Sequence, residues 1–173
     1  MLNGDGLPHN PCTGSGALMI GSMLSPDAKP EERFEKVKKL WKNMAGGIAP
    51  GWSEKAFASE KRVADTDRAL AYFMQHKRLF PKGANVNRHL EFIWECSAIE
   101  TTTEAQAVIA ATLANAGVCP TSEQEVLKPA TAKHCLSIMS IAGVGDYSSE
   151  YAFAVGLPAM SGTSGVVVIV VPD

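Results

Sequence analysis

No stretch of about 18 unbroken apolar residues occurs among the 173 residues, so no membrane-spanning helix is expected. The opening run Met1-Leu2-Asn3-Gly4-Asp5-Gly6 has neither a basic segment nor an apolar one, and no secretion signal is expected there. Cysteine is sparse. Cys12, Cys96, Cys119 and Cys135 lie far apart and form no Cys-x-x-Cys pair. The four histidines are as scattered, with none at a metal-binding i, i+4 spacing. These absences argue against zinc and against a disulfide framework, and point to reduced, buried thiols in an intracellular protein.

Neither sign of charge dominates: 16 basic residues face 18 acidic ones, for a net charge of −2. A nucleic-acid partner, which would call for a basic stripe, is therefore not expected. Lys36, Lys38, Lys39 and Lys42 do gather, but Glu31, Glu32 and Glu35 stand beside them, as on a solvated helix face. Catalytic signatures are missing too. An activated serine needs a base within hydrogen-bond reach, and a Ser-x-x-Lys turn supplies one. No lysine here has a serine three positions before it. There is no Gly-x-Ser-x-Gly elbow, phosphate loop or dinucleotide fingerprint either.

What remains is a chain of ordinary globular composition, 46% hydrophobic, with a length that suits one domain with a real core. Thr13 is a candidate cap for a helix running to about Leu24. Its glycines at 14, 16 and 21 are costly in a helix, so it forms only if something packs closely against it. Glu31 to Met44 reads as a second helix with Phe34, Val37, Leu40, Trp41 and Met44 on one stripe. Ile48 to Ser59 reads as a loop. A third helix, from Val63 or Asp65 to Lys77, buries Leu70, Phe73 and Met74. A fourth spans about Val86 to Cys96, with Leu90, Ile93 and Trp94 inward. Thr101-x-x-Glu104 forms a capping box for a fifth, with Gly117 suited to its C-terminal end. Pro129 opens a sixth that ends at Gly143.

Beyond Gly143 the pattern turns to strands. Tyr151 to Gly156 reads as one, and the β-branched run Val166 to Val171, apolar on both faces, as another from the interior of a sheet. A lone two-stranded ribbon is marginal, so further strands are expected from outside these residues. The exposed run would otherwise be an aggregation hazard. The expected class is α+β, a helical bulk packed on an incomplete sheet.

Three places could carry chemistry. Ser161-Gly162-Thr163-Ser164-Gly165 is read as a tight turn, with a backbone anion nest or oxyanion donor as the sharper alternative. Ser59-Glu60, with Asp65 and Asp67 behind it, reads first as an acidic helix start; the alternative is a carboxylate that holds an ammonium group at a loop-to-helix junction. His9, in Pro8-His9-Asn10-Pro11, lacks a visible partner and reads as structural rather than as a general base.

The same landmarks resemble the serine-dependent glutaminases, which share the penicillin-binding and serine β-lactamase fold, and the animal enzymes more than the bacterial ones. The resemblance runs through Leu2-Asn3, Pro8-His9-Asn10-Pro11, Phe57, Ser59-Glu60, Phe80-Pro81, Cys96-Ser97 and Ile99-Glu100. It continues through Ala110 to Asn115, Cys119-Pro120, Val155 to Ala159, Ser161-Gly162 and Val170-Val171-Pro172. It implies a single glutaminase-like domain over residues 1–173 with an antiparallel sheet. The family's Ser-x-x-Lys helix and two opening strands would lie upstream, and its closing strands downstream.

The implied reaction is hydrolysis of the L-glutamine side-chain amide to glutamate and ammonia through a glutamyl-serine, with no cofactor and no metal. The implied partners are L-glutamine or a similar amino acid and other glutaminase-family subunits, in a cytoplasmic or mitochondrial setting. By the same resemblance Glu60 would grip the substrate's α-ammonium group. Other pocket positions differ from the family's pattern. Gly14 and Asp67 stand where it has asparagines, Ile93 and Gly145 where it has tyrosines, and Met160 where it has a lysine. Thr163 replaces a valine that offers only backbone contact, and Tyr147 lies two residues from the Gly145 position. Catalysis by this chain alone is accordingly expected to be impaired or absent, with a non-catalytic regulatory subunit as the alternative.

Overall fold

A computed structural model describes residues 2–172. The chain forms two compact units: one holds the residues up to Val37 together with Gly51–Glu100, and the other holds 38–50 together with the residues from Thr101 onward.

The first unit contains α1 (Gly14–Met23), the start of α2 (Pro30–Met44), β1 (Gly51–Trp52), α3 (Glu54–Val63), α4 (Asp65–His76), α5 (Val86–Ser97) and β2 (Ile99–Glu100). Its core is Leu18, Ala64, Ala71, Met74, Val86, Leu90 and Trp94. The glycines of α1 are where close packing is needed. A Cβ on Gly16 would lie 1.9 Å from the Asn10 carbonyl oxygen, and one on Gly21 would lie 2.8 Å from Ile93 Cδ1. Helix propensity is thus given up so that the Asn10–Pro11 backbone and α5 can approach α1.

The helix α2 departs from the expected apolar stripe. Leu40 is exposed, and the buried residue of this helix is Arg33. The Arg33 guanidinium stacks 4.2 Å from the Phe92 ring centre, its Nε donates to Leu24 O at 3.0 Å, and its Nη2 donates to Gly21 O. Those carbonyls belong to the C-terminal end of α1, where a cation is favoured. Phe73, expected inward on α4, is exposed instead. Most of the segment expected as a loop after Ile48 is helical. The Ser53 hydroxyl accepts from Ala56 N at 3.2 Å, Glu54 opens the first turn and Lys61 and Arg62 close the last, so cap and dipole chemistry both favour α3.

The second unit contains the end of α2, α6 (Thr103–Ala114), α7 (Pro129–Ala142), a 3-10 turn (Gly145–Tyr147), α8 (Ser148–Ala154), β3 (Ala159–Ser161) and β4 (Val167–Ile169). The cap of α6 is Thr102, whose hydroxyl accepts from Ala105 N at 3.1 Å, one residue later than the expected box. Gly117, at φ +94°, closes the helix by donating to Thr112 O at 2.8 Å. Thr112 itself is fully buried, and its one hydroxyl proton is shared between Met44 O at 2.8 Å and Val108 O at 2.9 Å. Thr112→Val keeps the shape but strands the Met44 carbonyl. It is expected to lower unfolding stability by about 1–2 kcal/mol in a urea titration.

The expected strand at Tyr151 to Gly156 is instead α8. The Ser148 hydroxyl donates to Gly145 O at 2.7 Å and accepts from Val144 N at 3.2 Å, which fixes a helical start, and Gly156 at φ +72° ends it. The strand that pairs with β4 is β3, antiparallel with Ala159 opposite Ile169 and Ser161 opposite Val167. A short hairpin joins them, so the nearest neighbour in sequence takes the pairing. Burial on both faces does not hold for Val166 to Val171: Val170 is buried, while Val167, Ile169 and Val171 are exposed. Among the described residues the sheets are two antiparallel ribbons, β1–β2 and β3–β4, so the fold is mostly helical with small sheets. No helix among the described residues is long and apolar enough to cross a membrane.

Candidate functional site

Glu60 lies in the interior of α3, not at a loop-to-helix junction, and is half-buried. Two cations of α3 and α4 have partners of their own. Lys61 Nζ pairs with Glu91 Oε1 at 2.8 Å, bridging α3 to α5. Arg68 pairs through Nη1 with Asp65 Oδ1 at 3.1 Å, donates through Nη2 to Lys61 O, and stacks over Trp94. No hydrogen bond or ion pair of the Glu60 carboxylate is formed among the described residues. A half-buried carboxylate without an internal cation can take one from a ligand.

Asp67, on α4, is half-buried and accepts from the Trp94 indole Nε1 at 3.2 Å. That bond ties α4 to α5 and commits one carboxylate oxygen to the scaffold. Ile93 packs on the core of the first unit and fills the space that Gly21 leaves open, so an apolar residue is built into that position. Gly14 begins α1, with Leu70 Cδ2 3.6 Å from where its Cβ would be. The first unit therefore carries Gly14, Glu60, Asp67 and Ile93. The second carries Gly145 at φ +62°, exposed Tyr147, exposed Met160 on β3, and Thr163 in the hairpin. Left-handed backbone at Gly145 disfavours any larger side chain there.

The Ser161–Gly165 turn behaves as a turn. Gly162 N donates to Val166 O at 2.9 Å and Gly165 N to Gly162 O at 3.1 Å, which uses two of the amides an anion nest would need. His9 is exposed, and no His, Cys, Asp or Glu group among the described residues has the arrangement to hold a metal ion. The cysteines are free thiols, of which Cys119 alone is fully buried. Burial raises the Cys119 thiol pKa, but hydrogen bonds from Ser122 and Thr121 outweigh it and bring the group down to about 6. With no exposed surface it has no route to a substrate. An open apolar groove of about 270 Å³ between α6 and α7, lined by Leu113, Pro129, Ala132 and Leu136, contains none of the expected site residues.

Sequence reading did not single out Arg33 or the Asp67–Trp94 bond. Arg33 stands four residues before Val37 and eight before Trp41, on the same helical stripe, which is the signal that an arginine there is buried. The partner of Asp67 is 27 residues away, beyond the reach of any local pattern.

The glutaminase family model matches residues 1–173. The rat (Rattus norvegicus) protein named glutaminase liver isoform, mitochondrial, is 38% identical over 172 residues, which cover 99% of this chain and 29% of that protein. A crystal structure of Bacillus glutaminase in the presence of 4.3 M NaCl superposes with a TM-score of 0.91 at 34% identity, over 99% of this chain and 56% of that one. A probable glutaminase from Bacillus subtilis complexed with 6-diazo-5-oxo-L-norleucine superposes with a TM-score of 0.88, over 95% of this chain and 53% of that one. The chain thus spans under a third of the rat relative and little more than half of either bacterial structure. With the family match extending over every residue and the fold shared at 34% identity, this chain belongs to the glutaminase family.

Proposed function

We propose that this chain is a glutaminase-family module, built on the serine β-lactamase-like arrangement, that holds L-glutamine or a similar amino acid weakly and does not hydrolyse it unaided. The observation that carries the reading is Glu60: half-buried on α3, with no hydrogen bond or ion pair among the described residues. An α-ammonium group would supply the missing partner. The family reaction calls for a serine with a lysine one turn away, and no such pair occurs in these residues. Changes at Gly14, Asp67, Ile93, Gly145 and Met160 remove further side chains from the pocket pattern. Each lost hydrogen-bonding group is worth on the order of 1–3 kcal/mol, so the remaining affinity is low.

Equilibrium titration with L-glutamine tests the binding half of this reading. Weak saturable binding is expected, and Glu60→Ala should weaken it at least about tenfold, because a charge-assisted bond contributes roughly 1.5–3 kcal/mol. Equal affinity in both proteins would contradict the assignment.

The second reading is a subunit that joins full-length glutaminases and lowers their turnover. Two large apolar side chains of the second unit favour it: Phe153 is 95% exposed and Ile141 76% exposed. Co-purification with a full-length family member and a reduced rate of that enzyme would support the reading. A chain that leaves the enzyme's size and rate unchanged would count against it.

A further inference from the structure

We propose that His89 and Arg33 form an acid-sensitive latch on the C-terminal end of α1, in which a proton taken up by His89 places a second cation beside the buried guanidinium and loosens its hold. His89 is 5% exposed, and neither ring nitrogen has a hydrogen-bond partner among the described residues. Its ring packs against Phe80, with centroids 6.0 Å apart. Arg33 is 4% exposed and lies over Phe92, three residues beyond His89 on the same side of α5. The same guanidinium donates to Gly21 O and Leu24 O, which binds the end of α1 to the start of α2.

The ionisable surroundings are one-sided. Arg33, reaching in from α2, is the charged group that acts on His89. Glu95 and Cys96 on α5 act on Arg33, and Glu91 on α5 and Glu31 on α2 act on Glu95. No carboxylate hydrogen-bonds the imidazole, and α1, α3 and α4, which also pack on α5, contribute no hydrogen-bonding group to it among the described residues. A proton on His89 therefore enters an apolar pocket facing an existing positive charge.

Burial first, and then Arg33, hold the His89 pKa below its ordinary value of 6.5. The unfolded or opened chain consequently binds the proton more readily than the closed one. Stability from the neutral ring is fully present above 6.5, and declines as pH falls from there towards the lower pKa of the closed state. Glu95 works in the opposite sense. Burial and then Glu91 raise its carboxyl pKa, so the closed state gains from its protonation as pH falls. A comparison at His89 alone separates the two.

The test is amide hydrogen exchange of Gly21 to Leu24 in the whole chain, corrected for intrinsic rates, from about pH 7.5 to about pH 5.5. Opening in the wild type should rise by up to about tenfold per pH unit below 6.5, while His89→Leu and His89→Gln should show no such rise. The His89 ring titration, followed by NMR in the wild type, should have a midpoint below 6.5, in the same interval as the opening. Equal pH dependence in wild type and variants overturns the latch. So does an unshifted ring titration, a readout that stands even if a variant fails to fold.

Discussion

Gly16→Ala is expected to lower the stability of the unit that carries Glu60 by about 2–3 kcal/mol, whereas Gly14→Ala, two residues earlier, should leave it unchanged or raise it by up to about 1 kcal/mol. At position 16 the new methyl would lie 1.9 Å from Asn10 O, 2.7 Å from Asn10 C and 2.7 Å from Pro11 Cα, all of them backbone atoms. They have little room to yield. Asn10 O accepts from Thr13 N at 3.2 Å and from Thr13 Oγ1 at 2.8 Å, and Asn10 Oδ1 accepts from Cys12 N at 2.8 Å. At position 14 the methyl meets only Leu70 Cδ2, at an ordinary 3.6 Å. Helix propensity favours alanine at both sites by roughly 1 kcal/mol, so the difference in sign isolates the close approach. Thermal unfolding checks it: for a chain of this size the Gly16 variant should melt lower by roughly 5–10 °C. Equal midpoints for the two variants would refute the packing.

Arg33→Met is expected to destabilise the same unit by about 3 kcal/mol even though it replaces a buried charge with an apolar side chain. The reason lies in what Arg33 holds. Its partners are the carbonyls of Gly21 and Leu24, and removing the donor leaves both acceptors at a helix end that is no longer capped. Methionine retains contact with Phe92 but donates nothing. Arg33→Lys should recover part of the loss, since an ammonium can serve one carbonyl but not the two-pronged geometry. Urea unfolding of the three proteins measures this. A methionine variant as stable as the wild type would show that the guanidinium contributes no net stability.

How much of this was readable in advance depended on how local the cause was. The helices around Leu90, Leu113 and Pro129 stand within about two residues of where their apolar spacing, the threonine cap and the first-turn proline put them. The family motifs were equally plain. Ser59-Glu60 stands inside α3 rather than at a loop-to-helix junction, because the Ser53 cap starts the helix directly after the turn-rich Pro50-Gly51-Trp52. Tyr151 to Gly156 looked like a strand from its aromatic and β-branched residues. The Ser148 hydroxyl, bonding back to Gly145, decides for a helix instead.

The role of Arg33 and the bond from Trp94 to Asp67 are long-range facts, set only once α1, α4 and α5 have come together. The resemblance marks Ile93 and Gly145 as departures from the family's pattern. What the structure adds is that both are built in: Ile93 belongs to the core packing against Gly21, and Gly145 sits in left-handed backbone.

The function proposed above is that this chain, with its glutaminase-family scaffold and the Glu60 carboxylate, does not turn glutamine over unaided. Ammonia release from L-glutamine by the purified chain tests it most directly. The account predicts a trace indistinguishable from the protein-free control, for the wild type and for Glu60→Ala alike. A steady release of ammonia by the wild type, lost in Glu60→Ala, would contradict it.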